Sequence, residues 1–106
     1  MSIEVPIPEL QAKLASYPWA FLVTVSAEGR SHSLAVATAF FDDGALRFPV
    51  GRTSMANVAE RPEVTLLFPP ASGTEYSVVV DGVASAADGE LRVIPTWAVL
   101  HRPALR

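Results

Sequence analysis

The chain has 106 residues, half of them hydrophobic and 18% charged, with a formal net charge of −3. That length supports one domain, residues 1–106, built on a single core, and the absence of cysteine excludes disulfides and thiolate-held metals. Seven arginines and one lysine are scattered from Lys13 to Arg106 without a basic stripe, which argues against nucleic acid as a partner.

No apolar run approaches the roughly 18 residues of a membrane span. The start Met1-Ser2-Ile3-Glu4-Val5-Pro6 lacks the basic head and apolar centre of a secretory signal. The expectation is a cytoplasmic protein that does not enter the membrane. A domain this small and this apolar is also expected to cover surface with a partner, and a second copy of the chain is the simplest one.

In chain order, Pro8 suits a first helical position, and Ile7, Leu10 and Leu14 recur at helical spacing until Tyr17-Pro18. A short amphipathic helix is expected over 8–16. Phe21, Val23 and Val25 alternate with neighbours over 19–26, and Ala27-Glu28-Gly29-Arg30 turns the chain into a second strand over 31–41. Asp42-Asp43-Gly44 makes the next turn, into a strand over 45–50 with Leu46, Phe48 and Val50 on one face. A helix over 55–60 comes next, capped by Thr53 or Ser54 and stopped by Pro62. Strands over 64–68, 76–84 and 91–96 complete the chain, separated by Pro69-Pro70 with Ser72-Gly73 and by Asp88-Gly89. About six strands in so short a chain suggest a closed or nearly closed barrel, which removes exposed edges.

Two features bear on chemistry. In Val50-Gly51-Arg52-Thr53-Ser54-Met55-Ala56-Asn57 a strand end, a glycine, an arginine, two hydroxyls and a helix start fall together. They form either an anion site, with helix N–H groups and Arg52 aimed at one spot, or simply a capped helix beside a solvated arginine. On one face of the second strand Ser31, Ser33, Ala35, Ala37 and Ala39 leave little side-chain bulk. A flat ring system, a second subunit or a closely packed helix would each fill that space. His32 and His101 make no metal or hydrolytic constellation, Ser26, Ser33 and Ser54 lie in no nucleophile elbow, and Glu60 and Glu63 form no acid–base pair with a neighbour. No metal site is expected and no catalytic side chain stands out. Trp97, with Val99, Leu100 and Leu105, lies in a tail too apolar to hang in water, so the tail is expected to pack on the barrel or on a partner.

As a whole the chain resembles the pyridoxamine-phosphate-oxidase-like family of FMN-binding split barrels, from the first helix to about Thr96. The resemblance rests on the hairpin Phe21-Leu22-Val23-Thr24-Val25 to Ser33-Leu34-Ala35-Val36 and on Asp43-Gly44-Ala45-Leu46-Arg47-Phe48. Its most specific block is Arg52-Thr53-Ser54-Met55-Ala56-Asn57-Val58-Ala59-Glu60-Arg61-Pro62-Glu63-Val64. It implies a mainly β fold, a six-stranded Greek-key split β-barrel with two or three short helices, forming a homodimer with flavin sites at its interface. It implies that the FMN phosphate sits on Arg52, Thr53 and Ser54, that Asn57 supports that loop, and that the ring lies near the backbone of Ser33, Leu34, Ala35 and Val36. Many relatives have a lysine where this chain has Ser54, and the long C-terminal region with which the vitamin B6 oxidases help bind substrate is missing. Oxidation of pyridoxamine phosphate is therefore not expected.

The resemblance thus implies an FMN-binding oxidoreductase-like protein acting on a small redox substrate, in which the cofactor carries the redox chemistry and the protein supplies orientation and a dry pocket. A deazaflavin-dependent reductase of the same fold, and a non-enzymatic flavin-binding or cofactor-free barrel, are the alternatives.

Overall fold

The computed structural model describes residues 2–37, 40–72 and 75–104. Strand β1 (Ser2–Glu4) leads through a 3₁₀ turn at Ile7–Glu9 into helix α1 (Leu10–Leu14). Then come β2 (Trp19–Val25), β3 (Ser31–Ala37), β4 (Phe40–Asp42) and β5 (Ala45–Pro49), helix α2 (Arg52–Glu60), and β6 (Glu63–Phe68), β7 (Ser77–Ala87) and β8 (Glu90–His101). The strand expected over 31–41 corresponds to β3 and β4, and Ala39 of the small-residue row lies outside the described residues. The mainly β architecture with two short helices is the one expected.

All pairings are antiparallel, and the sheet runs β3-β2-β6-β7-β8-β5-β4, with β1 added to the C-terminal half of β8. Hairpin turns set much of this register. Asp43 and Asp88 adopt φ 54°, and Gly44 and Gly89 come after them at 80° and 79°, the pair of positive dihedrals a two-residue turn needs to match strand twist. β3 and β4 stand at opposite ends of the sheet, yet β4 begins three residues after β3 ends. The sheet must therefore curl until its ends meet, and β3 indeed comes close to β5. No strand pairs with the outer edge of β3 among the described residues, so the barrel is split there.

Period-two alternation fills the inside. Ala20, Leu22 and Thr24 of β2, Val64, Leu66 and Phe68 of β6, Val78 and Val80 of β7, and Leu91 and Val93 of β8 are all buried. Leu10 and Leu14 of α1 and Val58 of α2 close the same core. The expected C-terminal tail is largely strand: residues 97–101 complete β8, with Val99 buried and Leu100 half-buried between β1 and β7. Trp97 instead faces outward at 44% exposure. Leu105 lies outside the described residues.

Candidate functional site

At the end of β5, Val50 and Gly51 carry the chain into α2. Gly51 is the N-cap, in extended backbone (φ −90°, ψ −174°), and Met55 N–H donates to its carbonyl at 3.2 Å. The helix thus starts earlier than expected, and neither Thr53 nor Ser54 is its cap. Both lie within the first turn, because the turn closes on the Gly51 carbonyl and the helix begins at Arg52, three residues before the expected start. The first-turn N–H groups consequently receive no side-chain cap.

The rotation of α2 sorts its residues. The side chains of Arg52 and Thr53 are exposed and make no hydrogen bond or ion pair among the described residues. Ser54 is 1% exposed and faces inward, so its hydroxyl does not reach the surface beside Arg52. Asn57, at 6%, donates from Nδ2 to Thr24 Oγ1 of β2 at 3.0 Å, and Thr24 itself is fully buried. One turn on, Arg61 donates from Nε to the Ser26 carbonyl (2.9 Å) and from Nη2 to that of Ala27 (3.3 Å). Two levels of bonding therefore clamp α2 along β2, and Arg61 is committed to the β2–β3 turn.

On β3, Ser33 and Ala35 are exposed, Leu34 is half-buried and Val36 is buried. The outward row of small residues is therefore open on this chain, and packing against an internal helix does not account for it. α2 lies on the other, inward side of the sheet. At the split β3 presents its unpaired edge, β5 comes close to β3, and the chain leaves β5 at Pro49 to enter α2 at Arg52. The unpaired β3 edge offers backbone N–H and C=O groups, and the start of α2 offers a positive helix terminus and an unengaged guanidinium.

Other candidates are accounted for locally. His101 Nδ1 lies 3.0 Å from Ser2 Oγ, joining β8 to β1, and His32 is half-buried on β3 opposite Thr24. No group of three metal-ligating side chains occurs among the described residues. No helix there is long and apolar enough to cross a membrane. Arg47 is held between Asp42 and Glu90, the latter at 3.1 Å, and these hydrogen bonds raise its pKa further above the ordinary value. Sequence reasoning passed over Asp81, whose carboxylate sits half-buried on the outward face of β7; its signal was a single acid in the run Ser77-Val78-Val79-Val80-Asp81-Gly82-Val83.

No family model matches the sequence. Two mycobacterial proteins, the uncharacterized proteins Mb0449c of Mycobacterium bovis and MT0457 of Mycobacterium tuberculosis, are each 36% identical over 117 residues, covering 95% of this chain and 82% of theirs. Among solved structures, a Listeria innocua protein named for pyridoxamine 5'-phosphate oxidase superimposes with a TM-score of 0.74 at 16% identity, over 89% of this chain and 96% of that one. The FAD binding protein of Mycobacterium smegmatis gives 0.67 at 19% identity, over 96% of this chain and 100% of its own. An F420 reductase gives 0.69 at 18%, over 89% and 98%. HutZ, the heme storage protein of Vibrio cholerae, gives 0.69 at 13%, over 87% and 91%.

Proposed function

The chain belongs to the family of these two mycobacterial proteins and has the fold of the pyridoxamine 5'-phosphate oxidase-like split barrels, and from that premise we propose that it is a flavin-binding protein of oxidoreductase type that takes FMN in the split between β3 and β5 as a homodimer. The phosphate is held by Arg52, by the Thr53 hydroxyl and by the uncapped first-turn N–H groups of α2. Ser54 takes part through its backbone N–H alone, since its side chain is buried. Asn57 keeps the helix seated on Thr24. The ring lies along the edge of β3, where the backbone of Ser33, Leu34, Ala35 and Val36 offers hydrogen bonds.

When bound, the flavin supplies the electron-transfer chemistry on a small-molecule substrate. The chain's own residues bind and orient it, and no side chain is given a catalytic part. The carrying observation is the Arg52 side chain, unengaged among the described residues, at an uncapped helix start that follows β5, the strand that comes close to β3. FAD binding and F420 reduction by proteins of this fold support a flavin or a close relative.

The test is a titration of wild type and Arg52→Ala with FMN and with riboflavin, which lacks the phosphate. Loss of the charge-assisted contact should weaken FMN by about 1.5–3 kcal/mol, roughly ten- to more than a hundredfold, and leave riboflavin nearly unchanged. Equal loss for both ligands, or none for either, would remove Arg52 from the site. Purification with a deazaflavin or heme spectrum would displace FMN as the ligand.

A further inference from the structure

Away from the split, the outward side of β2, β6, β7 and β8 carries an open groove of about 400 Å³. That volume suits a small molecule. Its walls are apolar, from Val23, Val25 and Val83, and its charged lining consists of two carboxylates, Glu63 and Asp81. Thr65 donates from Oγ1 to Asp81 Oδ1 at 2.6 Å, which fixes the carboxyl group, while Oδ2 has no partner among the described residues.

The backbone here is specially shaped. A β-bulge between Asp81 and Gly82 inserts Thr96 as an extra residue on β8, so that Thr96 and Trp97 both face outward, with Trp97 directly opposite Asp81. Gly82 permits the close approach of β8: a Cβ there would stand 2.6 Å from Val93 Cγ1 and 2.7 Å from the Ile94 carbonyl oxygen. Pro95, which has no N–H to give the ladder, sits at the same irregularity. Thr96 donates from Oγ1 to the Asp81 carbonyl at 3.2 Å and holds the bulge in this form.

We propose that this groove binds a small organic ammonium, with the cationic nitrogen on Asp81 Oδ2, the apolar body against Val23, Val25 and Val83, and the indole of Trp97 at its rim. Charge complementarity selects this class. An anion meets two carboxylates and no cation in the lining. A neutral apolar molecule leaves a desolvated carboxylate oxygen without a partner, which is costly. A bare metal ion finds no third His, Cys, Asp or Glu among the described residues. An ammonium satisfies Oδ2 by a charge-assisted bond, and an aromatic face nearby adds a cation–π contribution. The site stands whether or not the split holds a flavin.

The experiment tracks backbone amide resonances of the full chain during titration with 2-phenylethylammonium, 2-phenylethanol and phenylacetate. These probes share a ring and differ in the charge they carry. The ammonium should move the amides of Thr65, Asp81 and Thr96 and bind at least about tenfold more tightly than the alcohol, the size expected of one charge-assisted bond, with phenylacetate weakest. Asp81→Asn, which keeps shape and the Thr65 contact, should reduce the ammonium to the level of the alcohol. Val83→Lys, at an exposed position, places a tethered cation at the groove and should likewise abolish the preference. Equal binding of ammonium and alcohol, perturbations centred elsewhere, absence of binding at millimolar ammonium, or a preference that survives both substitutions would each overturn the proposal.

Discussion

Thr24 and Asn57 are a buried polar pair, each satisfying the other across the β2–α2 contact. Truncating one member strands the other. Asn57→Ala is therefore expected to cost about 1–3 kcal/mol of stability in urea unfolding, and adding Thr24→Val should recover part of that loss, because the double variant has no unpaired group left. Tyr17 presents a titration instead. Its hydroxyl donates to the Tyr76 carbonyl at 2.7 Å, and burial, with a smaller contribution from the charge of Glu75, raises its pKa above the ordinary 10.0. The unfolded chain therefore ionises first as the solution becomes alkaline. The stabilisation linked to Tyr17 is intact below pH 10 and is lost as pH rises through the folded value. Tyr17→Phe should cost about 0.5–1.5 kcal/mol at neutral pH and flatten the alkaline fall in stability. Spectrophotometric titration can track this cleanly, since Tyr76 is the only other tyrosine.

Glycine has different meanings in the elements of this fold. Gly51 caps α2 in a backbone conformation any residue can adopt, with open space where a Cβ would be. Gly51→Asp should therefore supply the missing side-chain cap and raise stability by a few tenths of a kcal/mol. The same carboxylate would stand where the phosphate of FMN is proposed to lie, so FMN affinity should fall while riboflavin affinity holds. Parallel changes in both ligands would argue against an anion site at this helix start. Gly89, by contrast, turns β7 into β8 at φ 79°, where an L side chain is strained. Gly89→Ala should cost about 1–2 kcal/mol, measured as a lower denaturant midpoint, even though nothing lies within 4 Å of the added methyl.

At the scale of the molecule, the outward face of β2 and β3 is apolar and open. Trp19 and Phe21 are each 38% exposed and stack edge to face with ring centres 4.8 Å apart, and Ala37 and Ala35 sit opposite them in register. Large aromatics flanked by small side chains make a self-complementary surface for a second copy, with the alanines letting the sheets approach. Light scattering should therefore report about twice the 11.3 kDa chain mass at micromolar concentration. Phe21→Glu should give a monomer that keeps its β-sheet circular dichroism. A wild-type monomer under the same conditions would remove the dimer from the proposal. To persist, such an interface should bury more than about 1,000 Å².

Features with local causes were legible in the amino-acid order alone. β-rich composition marks 64–68 and most of β7, and Asp-Gly pairs mark the turns, because strand propensity and positive φ act within a few residues. Arg52 at a helix start beside a glycine was legible for the same reason. Other features depend on partners far along the chain, and folding in three dimensions settled them. β1 has no strand signal of its own and exists by pairing with residues near His101. The bulge that turns Thr96 and Trp97 outward arises from the fit of β8 on Gly82. Packing against β2 and β7 sets the rotation of α2, and so buries Ser54 while Arg52 and Thr53 stay outside. The small-residue row and the helix start are separate motifs in one dimension. Only the curl of the sheet brings β3 close to β5, the strand that leads into α2, because closure is a property of all the strands together.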